Sequence, residues 1–77
     1  MLIEIFGPGC AKCHETEKLA RAVLTEAGLD ANVEKITDFK DMTARGVFAT
    51  PAVAVDGALK CSGRVPSKKE FLAWFGK

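Results

Sequence analysis

The spacing of apolar residues changes several times along the chain, and each change predicts a new secondary-structure element. The mostly apolar run Leu2–Phe6 is typical of a strand, and Gly7-Pro8-Gly9 ends it. Apolar residues then recur every three or four positions up to Gly28, as on one face of a helix. Alternation over 31–36 predicts a second strand. The first half should therefore form a right-handed strand, helix, strand unit with parallel strands.

The middle of the chain predicts a shorter helix followed by a hairpin. Asp38 is a suitable N-cap for a helix that ends at Gly46. An apolar strand over Ala52–Val55 precedes Asp56-Gly57, which is a strong hairpin-turn signal, and a partner strand over 58–61 follows. The two strands of this hairpin should pair in the antiparallel sense.

A third helix closes the predicted fold. Ser67 and Glu70 have the spacing of a capping box, and Pro66 and Phe71 are placed to pack across the first turn. The predicted order is βαβαββα, an α/β fold with a four-stranded mixed sheet and three flanking helices.

Composition adds limits on the class of protein. The 77 residues are 48% hydrophobic and 27% charged, which predicts one folded domain over residues 1–77. The net charge of +1 comes without a block of like charge, so we expect neither a nucleic-acid partner nor a membrane partner. The apolar run after Met1 is too short for a secretory leader. We therefore expect a cytoplasmic protein, and a monomer.

The chemistry of the chain centres on Cys10 and Cys13, which follow the first strand and its loop. A helix N-terminus has unpaired N–H groups and a positive dipole end, so it favours a thiolate. Cys10 is therefore the expected nucleophile, and Cys13, a turn later on the apolar side, should be shielded. Lys12 and His14 add positive charge that should lower the pKa of Cys10 further.

Four interpretations of this cysteine pair are open: a redox couple, a haem attachment site, part of a zinc site, or core packing. Cys13 followed by His14 completes the C-x-x-C-H pattern of c-type haem, but only Met1 and Met42 offer a thioether as second axial ligand. A zinc site would need His14 or Cys61 as further ligands, because a second cysteine knuckle is absent. The redox interpretation is preferred, and we expect no metal and no cofactor.

Other candidate residues have simpler interpretations. Cys61 is expected to be a partly buried core or rim thiol, with a role as third redox thiol as the alternative. Four aromatic residues are assigned to the core rather than to a substrate platform, with one of them, Phe48, placed close to the site. They are Phe6, Phe48, Trp74 and Phe75.

Three segments carry a resemblance to a known family. They are the Gly-x-Gly-Cys-x-x-Cys start at 7–13, the Thr50-Pro51 pair before the third strand, and the Ser-Gly-Arg-Val-Pro-Ser run at 62–67. Together with the order of elements, these segments resemble the thioredoxin-like superfamily, in particular its small, glutaredoxin-sized redox-active disulfide proteins. The cysteine motif differs from the Trp-Cys-Gly-Pro-Cys of thioredoxins and from the Cys-Pro-Tyr-Cys of glutaredoxins.

The resemblance implies a function and a site. It implies that Pro51 is cis and packs against the cysteines, that the backbone of Thr50 pairs with an extended substrate segment, and that Gly63 borders that segment. It implies a thiol-disulfide oxidoreductase in which Cys10 attacks a protein disulfide and Cys13 resolves the mixed disulfide. Its partners would be protein disulfide or dithiol substrates and an upstream reductase. The alternative is a non-catalytic metal- or thiol-binding module that uses the same cysteines.

Overall fold

The computed structural model describes residues 1–9 and 11–76, which build a four-stranded sheet with helices on both faces. The elements are β1 (Leu2–Phe6), α1 (Ala11–Ala27), β2 (Asn32–Ile36), α2 (Phe39–Ala44), β3 (Ala52–Val55), β4 (Ala58–Ser62) and α3 (Lys68–Trp74). The strand order is β2-β1-β3-β4, with β1 and β2 parallel and the other pairs antiparallel. The predicted α/β fold and element order are confirmed, and β4 runs one residue further than predicted.

The strand register places the functional segments at one end of the sheet. Phe6 lies opposite Ile36 on one side and Ala52 on the other, and Ala52 lies opposite Ser62. We call this the Phe6 end of the sheet. Three connecting segments start or finish there: the loop into α1, the segment before β3 and the segment after β4. The β3–β4 turn therefore lies at the opposite end, which we call the hairpin end.

Side chains alternate between two hydrophobic layers, as expected for strands covered on both faces. Ile3 and Ile5 of β1 pack in the larger layer with residues of α1 and α3, including Phe71 and Phe75. The smaller layer contains Phe6, with Met42 of α2 and residues of β3. The core assignment is confirmed for Phe6 and Phe75, and Trp74 is partly buried against the larger layer.

Local sequence signals account for both helix starts in the second half. Asp38 caps α2, because its carboxylate accepts a hydrogen bond of 2.8 Å from the Lys40 backbone N–H. Ser67 and Glu70 form both hydrogen bonds of the predicted capping box at the start of α3. An N-cap side chain of this kind stabilises its helix by about 1 kcal/mol relative to alanine.

The hairpin end is tied to the start of β1. Asp56 and Gly57 both have positive φ angles, 50° and 85°, as a two-residue hairpin turn with matching twist requires. The Asp56 carboxylate accepts a hydrogen bond of 2.8 Å from the Leu2 N–H, and the Asp56 N–H donates one of 2.8 Å to the Leu2 carbonyl. This end of the sheet is thus closed by turn chemistry.

Across the described residues, no helix has both the length and the apolar character needed to cross a membrane.

A buried carboxylate in β1 is the polar feature that the periodicity did not predict. Glu4 is only 5% exposed, and its two oxygens accept hydrogen bonds of 2.7 and 2.5 Å from Arg45, the residue after α2. The same guanidinium lies 5.5 Å from the centre of the Phe6 ring. The hydrogen bonds from Arg45 hold the pKa of Glu4 below its ordinary value, against the opposing effect of burial. The pair therefore links the end of α2 to the centre of the sheet.

Replacing this carboxylate should make stability less dependent on pH. A charge-assisted hydrogen bond is roughly twice as strong as a neutral one, so Glu4→Gln should lower the free energy of unfolding by about 1 kcal/mol at neutral pH. Because the folded pKa of Glu4 is lowered, its contribution is complete above the ordinary carboxyl pKa and disappears as the pH falls through the folded value. Urea unfolding of both proteins between about pH 7 and about pH 3 measures this.

The control for this prediction is Glu26→Gln, which removes an exposed carboxylate paired with Lys68 at 2.6 Å. An exposed pair contributes little, so this variant should follow the wild-type curve closely at every pH. A constant gap between wild type and Glu4→Gln down to the lowest pH would contradict the assigned role of the ion pair.

Candidate active site

The loop between β1 and α1 is held in place by β2. The Gly7 N–H donates a hydrogen bond of 2.9 Å to the Ile36 carbonyl, which extends the parallel pairing by one residue. Lys12 and His14 are exposed on the first turn of α1. Cys10 lies outside the described residues, so its assignment as nucleophile stays a prediction. The loop and the first turn of α1 are nevertheless set at the Phe6 end of the sheet.

Cys13 packs directly on the backbone of Gly7. It is the third residue of α1 and is 6% exposed, as the helical spacing predicted. An ideal Cβ on Gly7 would lie 2.1 Å from the Cys13 Sγ and 3.0 Å from its Cβ, so there is no space for a side chain at position 7. Sequence reasoning treated Gly7 only as part of a strand-ending loop and missed this contact.

A small cavity borders Cys13 on the side of β2. Its volume is about 10 Å³, which corresponds to roughly one water molecule. The lining residues are Ile5, Gly7, Gly9, Cys13, His14, Lys35 and Thr37. Polar side chains therefore approach the buried thiol from α1, from β2 and from the residue after β2. The cavity is too small to admit a further amino-acid side chain.

Thr50 approaches Gly7 at the same point as Cys13. The ideal Gly7 Cβ would be 3.9 Å from the Thr50 Cβ, so Thr50 and Cys13 are neighbours on one side of the Gly7 backbone. The Thr50-Pro51 peptide bond is cis, Pro51 is fully buried and Thr50 is partly exposed. The fold thus brings the second cysteine of the motif and the Thr-Pro segment to one place, although 36 residues separate Cys13 from Thr50.

Gly63 borders the same segment from the end of β4. Its N–H donates a hydrogen bond of 2.9 Å to the Pro51 carbonyl. Its φ angle is +82°, and an ideal Cβ would lie 3.3 Å from the Ala49 Cβ, so both the backbone conformation and the packing favour glycine. Thr50, Pro51 and Gly63, which the resemblance assigned to substrate binding, form one continuous region with Gly7.

The segment that carries Gly63 is fixed to α3 by charge. Both guanidinium nitrogens of Arg64 donate to the carboxylate of Glu70, at 2.7 and 2.6 Å. These hydrogen bonds, together with one from the Ser67 backbone N–H, hold the pKa of Glu70 at about 2. Glu70 therefore serves both the capping box and Arg64. The spacing in the sequence predicted the first contact and missed the second.

Cys61 is a shielded thiol next to this segment. It is 7% exposed, and its Sγ donates a weak hydrogen bond of 3.5 Å to the Arg64 carbonyl. Burial raises the pKa of Cys61, and the charge of Arg64 only partly opposes that effect. The interpretation of Cys61 as a buried thiol is confirmed. Its environment disfavours the thiolate form.

Phe48 is the aromatic residue that was placed close to the site and assigned to the core. The core assignment is wrong. Its side chain is 82% exposed, although the residues around it in sequence are held by the fold. The buried position next to it is taken by Val47, which fills the smaller hydrophobic layer. An aromatic side chain was assigned to the core by residue type alone, and here the neighbouring valine occupies the core instead.

The four-stranded mixed sheet with its three helices, and the Thr50-Pro51 segment beside Gly7, define a thioredoxin-like protein. A family model described as a thioredoxin domain matches residues 1–76, and the chain belongs to that family. The chain is 49% identical over 70 residues to a thioredoxin of Methanothermobacter thermautotrophicus, with 91% of each chain covered. It is 40% identical over 70 residues to a thioredoxin of Methanocaldococcus jannaschii, with 91% of this chain and 80% of that one covered. The protein thus has a thioredoxin-like redox function.

Adding one carbon at position 7 should disrupt the packing of Cys13. Gly7→Ala places its Cβ inside the contact distance of the Cys13 Sγ, so we expect a loss of about 3 kcal/mol or more in unfolding free energy. The same change in a Cys13→Ala background should cost clearly less, because the sulfur is gone. Chemical unfolding of the four proteins under reducing conditions measures the coupling. Additive losses would contradict the proposed contact.

Cys61 should react slowly in the folded protein. Its burial and raised pKa keep both access and thiolate content low, so alkylation at neutral pH should leave it largely unmodified. In denaturant the rate should rise to that of a free cysteine, which serves as the control. Mass spectrometry of peptides after timed alkylation makes the comparison. Rapid labelling of Cys61 in the folded protein would refute its shielded position.

Proposed function

We propose that the protein is a thiol-disulfide oxidoreductase or redox carrier that uses Cys10 and Cys13 as a dithiol/disulfide couple. The observation that carries the proposal is that Cys13 and Thr50 meet at one point of Gly7, where a Cβ would lie 2.1 Å from the Cys13 Sγ and 3.9 Å from the Thr50 Cβ. It joins the C-x-x-C segment to the Thr50-Pro51 segment, as the resemblance implies. A redox couple needs two thiols within disulfide reach and, beside them, a place for the substrate protein, which we call the client.

The proposed reduction proceeds through a mixed disulfide. The Cys10 thiolate attacks one sulfur of a client disulfide; the client S–S bond breaks, and the other client sulfur leaves as a thiolate that takes up a proton. Cys13 then loses its proton and attacks the Cys10 sulfur, which releases the second client thiol. The client gains two electrons and two protons, and the protein is left with a Cys10–Cys13 disulfide. Each step is reversible, so the same exchange can oxidise a dithiol client, and the relative reduction potentials set the direction.

The burial of Cys13 supports this order of events. A thiol that is 6% exposed and lies against Gly7 is inaccessible to a folded client. We propose that it reacts instead with the sulfur of Cys10, three residues earlier in the chain. Lys12 and His14 are exposed beside it and are proposed to favour the Cys10 thiolate through their charge. An upstream reductase is proposed to return the disulfide to the dithiol.

The proposed client position is the surface at Thr50 and Gly63, next to the buried Pro51. Thr50 is partly exposed, and we propose that its backbone pairs with an extended chain, as the family resemblance implies. Gly63 has no side chain to block that approach. The proposed substrates are therefore protein disulfides or dithiols in extended or locally opened segments.

Cysteine variants test the assignment of roles. Cys10→Ser should abolish catalysed reduction of insulin disulfides by dithiothreitol, and Cys13→Ser should accumulate a mixed disulfide through Cys10, because no resolving thiol is present. Cys61→Ser is the matched control and should retain turnover. The measurements are insulin turbidity and mass spectrometry of the trapped adduct.

Two outcomes would overturn the proposal. A mixed disulfide that forms through Cys13 in the Cys10→Ser variant would reverse the assignment of attacking and resolving thiols. Tight stoichiometric zinc binding in the wild type, lost in the same variants and accompanied by no disulfide turnover, would instead identify the metal- or thiol-binding module.

A further inference from the structure

Phe48 is a large apolar side chain in contact with water. Among the described residues it is the most exposed large hydrophobic, at 82%, compared with 68% for Phe39, 45% for Leu59 and 39% for Met1. A buried phenylalanine is a major source of stability, and Phe48, at this exposure, contributes little of it. An exposed aromatic residue of this kind is favoured where it meets a partner.

The backbone that carries Phe48 is held on both sides. Before it, Val47 is 3% exposed in the smaller hydrophobic layer, and its N–H donates a hydrogen bond of 2.8 Å to the Met42 carbonyl. After it, Ala49 packs against Gly63, where an added Cβ would meet it at 3.3 Å. Phe48 therefore projects from a fixed position, and binding through it requires little ordering of the loop.

Phe48 is also continuous with the proposed client position. It lies two residues before Thr50, and its neighbour Ala49 contacts Gly63. The arginines of the adjacent segments are occupied: Arg45 is paired with Glu4, and Arg64 with Glu70. The arginines nearest to Phe48 and Gly63 in sequence are thus already paired with carboxylates, and Phe48 adds an exposed ring to this part of the chain. An exposed ring of this kind favours an apolar contact.

We infer that Phe48 is a specificity-determining residue that contacts an apolar side chain near the reacting cysteine of the client polypeptide. The inference rests on the proposed function, since it requires a client chain bound along Thr50-Pro51. The protein then acts faster on disulfides flanked by leucine, isoleucine or an aromatic residue than on those flanked by small polar residues. The partner that contacts the Phe48 ring is therefore a segment of the client chain.

Two matched peptide disulfides test this inference. They differ only in the residue after the reacting cysteine, leucine in one and serine in the other, and kcat/KM is measured for each. The wild type should prefer the leucine peptide by about tenfold, which corresponds to about 1.4 kcal/mol. Phe48→Ser should bring the ratio close to one by slowing the leucine peptide. Phe48→Leu should retain most of the preference.

The control is Leu59→Ser, which removes another exposed apolar side chain. Leu59 lies opposite Ala54, toward the hairpin end of the sheet and away from Thr50. This variant should keep the wild-type ratio. Circular dichroism and urea unfolding of all variants exclude a folding defect as the cause of a changed ratio.

The possible results separate the two proposals. Turnover of both peptides without a preference, or a preference that survives in Phe48→Ser, would overturn the role of Phe48 and leave the redox function standing. Failure of the wild type to reduce either peptide would overturn the proposed function, and the inference with it. If wild type is a dimer in solution and Phe48→Ser is a monomer with unchanged selectivity, a second copy of the chain covers the ring and the inference is wrong.

Discussion

The packing of the Cys13 sulfur on the backbone of Gly7 is the contact on which the site depends. No side chain fits between them, because an added Cβ would lie 2.1 Å from the sulfur. Gly7 is also hydrogen-bonded to Ile36 and lies next to Thr50. One residue without a side chain therefore allows β1, α1, β2 and the segment before β3 to meet at a single point. A close-packed interior leaves little freedom to rearrange around it.

Two ion pairs hold the loops that surround Gly7, and they differ in how they contribute to the stability and geometry of the site. Glu4 and Arg45 connect the sheet to the end of α2, just before the loop that carries Thr50, and Glu4 is buried. Arg64 and Glu70 connect the segment after β4 to α3 across an exposed surface. The exposed pair is screened by solvent, so its main effect is to orient Gly63. The buried pair also matters for stability, because loss of Arg45 would leave the Glu4 carboxylate buried without a partner.

Elements with a local cause were predictable from sequence, and contacts with a distant partner were not. Asp38, the Ser67 capping box and the Asp56-Gly57 turn each act within a few residues, so their chemistry is readable in the chain. Glu4 breaks an apolar run without indicating that its partner lies 41 residues away. The crowding at Gly7 and the exposure of Phe48 depend on three-dimensional packing, and Cys10, the central residue of the prediction, lies outside the described part of the chain.

The separation of the two ends of the sheet has a practical consequence for attaching the protein to a surface. The β3–β4 turn is closed by Asp56 and its two hydrogen bonds to Leu2, and the exposed Ala58 lies directly after it. A linker joined to a reactive residue introduced in place of Ala58, through a chemistry that spares thiols, would orient the Phe6 end toward solution. Immobilised in this orientation, every molecule would present the same face to a soluble partner, and binding of that partner could be measured directly on the surface.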